Sequence, residues 1–397
     1  MAVTIADIQK AYERIRPYIR KTDVTQITMP KGGELYIKLE NLQFTGAYKI
    51  RGAFNCMLQL NEKQKQAGVL AASAGNHAQG VARAARELAL RATIVMPKGA
   101  PLSKIAATER YGAKVILHGD SYDDACAHAL ELAAQTGKTF IHPFDDERII
   151  AGQGTLGIEI LDQIDAGTVL VPVGGGGLAS GVSTALKALK KNIRVIGVEP
   201  ENAASMSSSI RARRIITLPS SNTIADGIAV KTPGELTYPL CRDLLDEVVT
   251  VDEGEIANAI LFLLEKGKIV SEGAGAATIA AVFSGKTPLD DKKPTVAVLS
   301  GGNIDVTMVS RIIDKGLIRS GRKTLISTQV GDKPGQLVRL LELISSTGAN
   351  IVTVQHSRID PHLNVTDSAV SVEIETRDKQ HVFEIRNTLE DEGYRLL

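Results

Sequence analysis

From about residue 35 to 320, short apolar runs alternate with segments whose apolar residues recur at helical spacing. The runs Leu35–Leu39, Val69–Ser73, Ala92–Met96, Lys114–Leu117, Val169–Val173, Val195–Val198 and Thr295–Leu299 read as strands buried on both faces. Between them, Gly80–Leu88, Tyr122–Ala134 and Ala179–Leu189 read as helices. Alternating strands and helices predict a largely parallel sheet covered on both faces, with ligands bound beyond the carboxyl ends of the strands. After the basic stretch "KGLIRSGRK" (Lys315–Lys323) the period changes. Leu325–Val330, Ile351–His356 and Ala369–Glu375 alternate as strands, and Tyr394–Leu397 reads as a closing strand. Gly335–Thr347 and Lys379–Glu392 read as helices. The order β-α-β-β-α-β in roughly 75 residues is ferredoxin-like, which places one domain at 1–320 and a second at 321–397.

Composition works mainly by exclusion. With 397 residues, 44% hydrophobic and 23% charged, the chain has ample material for a large core. Its 46 basic residues are balanced by 45 acidic ones, so there is no electrostatic footprint for nucleic acid or an anionic membrane. The opening "MAVTIADIQKAYERIRPYIR" has a helical period without an apolar signal core, and no run reaches transmembrane length. Three cysteines, Cys56, Cys126 and Cys241, lie far apart without metal spacing. They read as buried or free thiols of a reducing, cytoplasmic protein.

Glycine is the unusual feature: 36 residues, many of them clustered. "SAGNHAQG" (Ser73–Gly80), "GGGGL" (Gly174–Leu178) and "SGGN" (Ser300–Asn303) each follow a strand, while "ADG" (Ala225–Gly227) has a less clear context. Four successive glycine N–H groups leading into a helix make a concavity suited to an anion. No GxxxxGK[ST] motif is present, and no GxGxxG is followed by an acid at dinucleotide spacing. A phosphate held by main chain alone points to a small phosphorylated cofactor. Asn76 and His77 at a strand end suit a carboxylate or a ring oxygen, and suit equally an Asn cap followed by a solvated histidine. Ser300 is likewise either a site residue or a helix cap. In "TGAYKIRGA" (Thr45–Ala53), Lys49 stands among small and apolar residues, where shelter lowers an amine's pKa and makes it nucleophilic.

Taken in order, "TGAYKIRGA", "SAGNHAQGVA", "IAGQGT" (Ile150–Thr155), "GGGGLASG", "TIADG" (Thr223–Gly227) and "SGGN" resemble the serine/threonine dehydratase family of fold-type II pyridoxal-phosphate enzymes, across the first 320 residues. The tail, with "DKPGQL" (Asp332–Leu337) and "GANIV" (Gly348–Val352), resembles an ACT regulatory domain. The resemblance implies an α/β fold of two open, mostly parallel, twisted subdomains, tryptophan synthase β-like, with the smaller inserted at about residues 50–150. It implies that Lys49 bonds to the cofactor aldehyde and later takes the Cα proton. Gly174, Gly175, Gly176, Gly177 and Leu178 would receive the cofactor phosphate. Asn76 would contact the ring hydroxyl, Ser300 would face the pyridine nitrogen, and Tyr48 and Gly227 would flank the ring. Ser73, Ala74, Gly75, Asn76 and His77 would hold the substrate carboxylate. A serine cannot stabilise a pyridinium as an aspartate does, which favours prompt loss of a β-leaving group.

The implied activity is deamination of L-threonine to 2-oxobutanoate, and of L-serine to pyruvate. Family members that deaminate threonine carry such a tail, which implies a role in amino-acid metabolism such as isoleucine biosynthesis. An amino-acid effector, isoleucine or valine, is expected at Pro334, Gly335, Asn350 and Ile351 of a homodimer or homotetramer. Three departures from the family pattern matter. The usual Ser-Phe before the lysine is Ala47-Tyr48. Ala74 replaces the serine with which related racemases protonate Cα from the opposite face. In "EPENAAS", Glu199 is kept but Ser205 stands where a second acid would complete a divalent cation site, leaving Glu199 for at most a weak monovalent site. Ala74 and Ser205 therefore count against the alternatives of a serine racemase or a 3-hydroxyaspartate ammonia-lyase. Intact Lys49, Asn76, tetraglycine and Ser300 count against an amino-acid sensor with an inactive catalytic domain.

Overall fold

Each apolar run becomes a strand in the computed structural model, which describes residues 3–30, 32–290, 292–359 and 364–397. The strands up to residue 305 are β1 (Val24–Thr28), β2 (Glu34–Leu39), β3 (Val69–Ala72), β4 (Ala92–Met96), β5 (Lys114–Leu117), β6 (Thr139–Phe140), β7 (Thr168–Pro172), β8 (Arg194–Pro200), β9 (Glu247–Val251) and β10 (Thr295–Leu299). They form a six-stranded sheet in the order β1-β2-β10-β7-β8-β9 and a four-stranded sheet in the order β5-β4-β3-β6. Every pairing is parallel except that of β1 with β2. The strands of the smaller sheet fall in the chain between β2 and β7, so it is an insertion into the larger one. β4, β7 and β10 are buried along their whole length, as continuous apolar strands under helices on both faces must be. The pattern missed β1, β6 and β9, which all lie at sheet edges. Only one face of an edge strand need be apolar, and "VTQIT" and "EVVTV" are correspondingly half-exposed.

The helix Lys49–Met57 carries the sheltered lysine and packs on the helix Glu147–Gln163. A Cβ on Gly152 would lie 2.7 Å from the Gly52 Cα and 2.8 Å from the Arg51 carbonyl oxygen. A Cβ on Gly181 would lie 2.6 Å from the Gly154 nitrogen. The glycines of "IAGQGT" are thus places where two backbones touch, and their function is packing. Beneath this contact lies a fully buried charge cluster. The Arg51 guanidinium donates twice to Glu40 and twice to Glu159, all at 2.8 Å, and once to the Thr155 hydroxyl at 3.2 Å. Lys38 donates to Glu159 at 2.7 Å and to the Thr22 carbonyl at 2.6 Å.

The chain divides into two compact units, Met1–Asp305 and Val306–Leu397. The helix Val306–Ser320 is grouped with the second and packs on its first strand, so the division precedes the basic stretch at 315–323. The strands of this unit are β11 (Lys323–Gly331), β12 (Asn350–Ser357) and β13 (Asp367–Glu375), antiparallel in the order β11-β13-β12. The helices Gln336–Ser346 and Lys379–Asp391 supply Leu340, Ile344, Ile385 and Leu389 to a core with Ile326, Val370 and Val372. The expected closing strand at Tyr394–Leu397 is a correction: Leu396 makes one isolated bridge, to Thr328. There the Arg395 carbonyl is taken by the Thr328 side-chain hydroxyl at 2.8 Å, and no named strand forms. The segment still lies beside β11, where the ferredoxin-like order puts its fourth strand. Among the described residues, no helix is long and apolar enough to cross a membrane.

Candidate active site

Lys49 is the first residue of its helix, and its side chain reaches a cavity of about 610 Å³ in the first unit. The amine donates to the Pro143 carbonyl at 2.7 Å. That carbonyl is set by a turn in which His142 Nδ1 accepts from the N–H groups of Phe144 and Asp145, at 3.2 and 2.7 Å. Burial pulls the Lys49 pKa down to about 8, and the nearby Glu272 carboxyl only partly opposes it. An amine so placed is neutral far more often than a surface lysine at neutral pH.

The "TGAYK" and "SGGN" segments, far apart in the chain, are fastened together at the strand end of β10. Tyr48 N–H donates to the Ser300 carbonyl at 3.0 Å, and Gly302 N–H to the Gly46 carbonyl at 2.9 Å. Ala47 bridges Gly301. At the end of β3, Ser73 accepts the Gly75 N–H at 3.1 Å, and the helix Asn76–Glu87 then begins. Its first-turn N–H groups form the positive end of a helix dipole, suited to a carboxylate. His77 is not solvated. It is 3% exposed, and its Nε2 donates to the Ile141 carbonyl at 2.8 Å. Burial, then the Lys49 charge, push its pKa down to about 3, so the ring is a neutral structural donor.

The tetraglycine runs from the end of β7 into the helix Gly177–Leu189, with Gly176 left-handed at φ +92°. It is walled on every side. Added Cβ atoms would come within 2.5 Å of the Phe144 ring at Gly175, 2.8 Å of Phe144 at Gly177, 2.9 Å of Ile228 at Gly174, and 2.8 Å of Met206 and Thr237 at Gly176. The Thr237 hydroxyl donates to the Gly175 carbonyl at 2.5 Å, while the N–H groups of Gly175 and Gly176 have no main-chain partner among the described residues. Carbonyls tied back and amides left over make an anion cradle.

Of the expected site residues, Lys49, Ser73, Ala74, Gly75, Asn76, His77 and Gly227 line the cavity together. Tyr48, Gly174, Gly175, Gly176, Gly177, Leu178 and Ser300 are buried and do not line it, and Phe144, which does, lies against Gly175 and Gly177. Sequence reasoning missed Phe144, Glu272, and the ion pair of Lys104 with Asp226, all of which line the cavity. A signal for Glu272 existed: it is the sole charge in "IVSEGAGAATIAAVFSG". Glu199 is fully buried and caps the helix Ser205–Ala212, accepting from Met206 and Ser207 N–H groups at 2.8 and 2.9 Å. Both its oxygens are therefore already engaged.

The expected effector residues are not brought together within one copy of the second unit. Pro334 and Gly335 follow the Gly331 end of β11, which pairs with Asp367. Asn350 and Ile351 begin β12 at the Glu375 end of β13, and Asn350 Nδ2 donates to Glu375 at 2.9 Å. The two pairs therefore sit at opposite ends of the sheet, because β11 and β12 both run antiparallel to β13.

The chain belongs to the pyridoxal-phosphate dependent enzyme family, whose model matches residues 15–301. It is 48% identical over 396 residues to an L-threonine ammonia-lyase of Thermotoga maritima, covering 99% of this chain and 98% of that one. A solved threonine deaminase from a T.th. strain is 40% identical with a TM-score of 0.71, covering 76% of this chain and 99% of that one. A maize serine racemase is 37% identical with a TM-score of 0.74, covering 80% and 99%. The cofactor is pyridoxal phosphate, and the residues present fit it: a sheltered amine of lowered pKa, and the N–H groups of Gly175 and Gly176 without a main-chain partner among the described residues.

Proposed function

We propose that this chain deaminates L-threonine to 2-oxobutanoate and ammonia, and L-serine to pyruvate. The observation that carries this reading is a cavity that pairs one lysine base, Lys49, with a methyl at Ala74, where related racemases carry a serine hydroxyl. Bound pyridoxal phosphate supplies an aldehyde for the amine and a ring that accepts the electrons released at Cα. The amine of Lys49, lowered toward neutrality, takes the Cα proton. The N-terminus of the helix Asn76–Glu87 receives the substrate carboxylate, and the amides of Gly174 to Gly177 receive the phosphate. The similarity to threonine-deaminating relatives over nearly the whole chain supports the substrate. Similarity to a racemase is outweighed at Ala74, since a methyl returns no proton to Cα.

For the tail, we infer an ACT-like regulatory domain that binds isoleucine or valine at Pro334, Gly335, Asn350 and Ile351. Residues at opposite ends of one sheet come to the same end when two copies pair about a two-fold axis through β12, so this site calls for a homodimer or a homotetramer.

The test is release of 2-oxo acid from threonine, serine and 3-hydroxyaspartate, each with and without isoleucine. Threonine turnover that vanishes in Lys49→Ala, together with a borohydride-sensitive visible band, is expected. Conversion of L-serine mainly to D-serine overturns the lyase reading, and preference for 3-hydroxyaspartate overturns the substrate.

A further inference from the structure

Glu272 stands just before the buried helix Gly273–Phe283 and is 4% exposed. Its Oε1 accepts from Asn76 Nδ2 at 2.7 Å. Asn76 Oδ1 in turn accepts from Asn303 Nδ2 at 2.8 Å, and the same nitrogen donates to the Thr45 carbonyl at 2.8 Å. This chain of contacts settles which way each amide faces. The Thr45 carbonyl only accepts, so the Asn303 nitrogen must face it, and both of that nitrogen's N–H groups are then spent. Asn76 consequently turns its oxygen to Asn303 and its nitrogen to Glu272. One N–H of Asn76 is left over, on a residue that lines the cavity. Two motif glycines make room for the arrangement: a Cβ on Gly301 would lie 2.4 Å from Glu272 Oε1, and one on Gly227 would lie 3.3 Å from it.

We propose that Glu272 is a positioning residue for the cofactor, which, acting through Asn76 with Asn303 as the opposing anchor, makes that amide an N–H donor to the cofactor's ring oxygen. The proposal rests on the cofactor role assigned to Asn76 above. A carboxyl is suited to the task because, ionised, it only accepts, so it admits one orientation of Asn76. Facing it are Lys49 and Tyr48 from the lysine segment and Asp226 from the turn after "TIA", itself paired with Lys104. Among the described residues, no cation pairs with it directly. Burial first, then the Asp226 charge, push its pKa up to about 7. The strength of the hold on Asn76 therefore changes near neutral pH.

The test uses the full-length protein, stripped of cofactor and titrated with pyridoxal phosphate, with the visible spectrum followed from pH 5.5 to 9. Glu272→Ala is expected to weaken cofactor binding roughly ten- to a hundredfold, the range for losing a hydrogen bond to a charged group. Glu272→Gln keeps an acceptor oxygen and is expected to bind within about threefold of wild type, while losing the spectral change centred near neutral pH. If Glu272→Ala does not fold, the Gln variant alone decides through its spectrum. Unchanged affinity and spectrum in Glu272→Ala, or the same spectral change centred near neutral pH retained in Glu272→Gln, would overturn the proposal. Failure of wild type to turn over threonine would sink the functional reading but leave this titration intact.

Discussion

Lys49 and Arg51 stand two residues apart on one helix, both sheltered, and the protein treats their charges oppositely. Arg51 is wholly enclosed, with every guanidinium N–H matched to an oxygen of Glu40, Glu159 or Thr155. Burial disfavours its charge, but the two carboxylates outweigh that and raise its pKa. Among the described residues Lys49 donates to a neutral carbonyl and lies over the Tyr48 ring, with no carboxylate paired to it, and burial wins. Lys38 is the intermediate case: although ion-paired with Glu159, its pKa is still lowered by burial. Burial alone therefore does not make a reactive base. The balance of burial against the carboxylates in reach decides, and one turn of helix holds both a permanent cation that fixes the backbone and an amine free to lose its proton.

The comparison breaks most visibly if the two sites are made alike. Lys49→Arg places a guanidinium that never deprotonates at a site without a paired carboxylate. We expect turnover to fall on the order of a thousandfold or more, checked by 2-oxo acid release at saturating substrate. Arg51→Ala leaves Glu40 and Glu159 short of a buried partner and should cost about 3–5 kcal/mol in urea unfolding. Arg51→Lys, with three donors for five, should cost about 1–3 kcal/mol. Equal stability of wild type and both variants would show that the cluster is not what anchors the helix. The last effect is one of pH. In cofactor-free protein Lys49 titrates near 8, against 10.5 unperturbed, so between those values the native state binds fewer protons than the unfolded state. Stability relative to Lys49→Met should then rise with pH from about 8 to about 10.5 and be flat below. A rise below pH 8 would assign the shift to another group.

Strands buried on both faces were legible because such strands must be apolar throughout, as β4, β7 and β10 are. Among the edge strands β1, β6 and β9 were not, since β1 and β9 answer to one face only, whereas β5, β11 and β12 kept enough apolar residues to be read. The glycine motifs were visible as motifs, but the sequence did not show whether a glycine meets a ligand or another backbone. Gly152 and Gly154 meet helices, while Gly174 to Gly177 are ringed by Phe144, Ile228 and Met206. His77 is the clearest miss of environment. Its partner, the Ile141 carbonyl, is set by the pairing of β3 with β6, a contact that local pattern does not encode. Glu272 was readable as a lone acid in an apolar segment, though its link to Asn76 was not.

The order of strands in the larger sheet also bears on how the molecule is made. β10 lies between β2 and β7, yet it is the last strand of its unit to leave the ribosome. Until residue 299 has emerged, β2 and β7 each present an unpaired edge destined for the interior, and Ser300 and Asn303 do not yet exist to meet Tyr48 and Asn76. Long-range pairing of this kind is slow and leaves exposed edges. A chain that ends before Asn303 lacks the groups that fasten Tyr48 and Asn76, so on the proposed reading cofactor capture waits for the last strand of the unit.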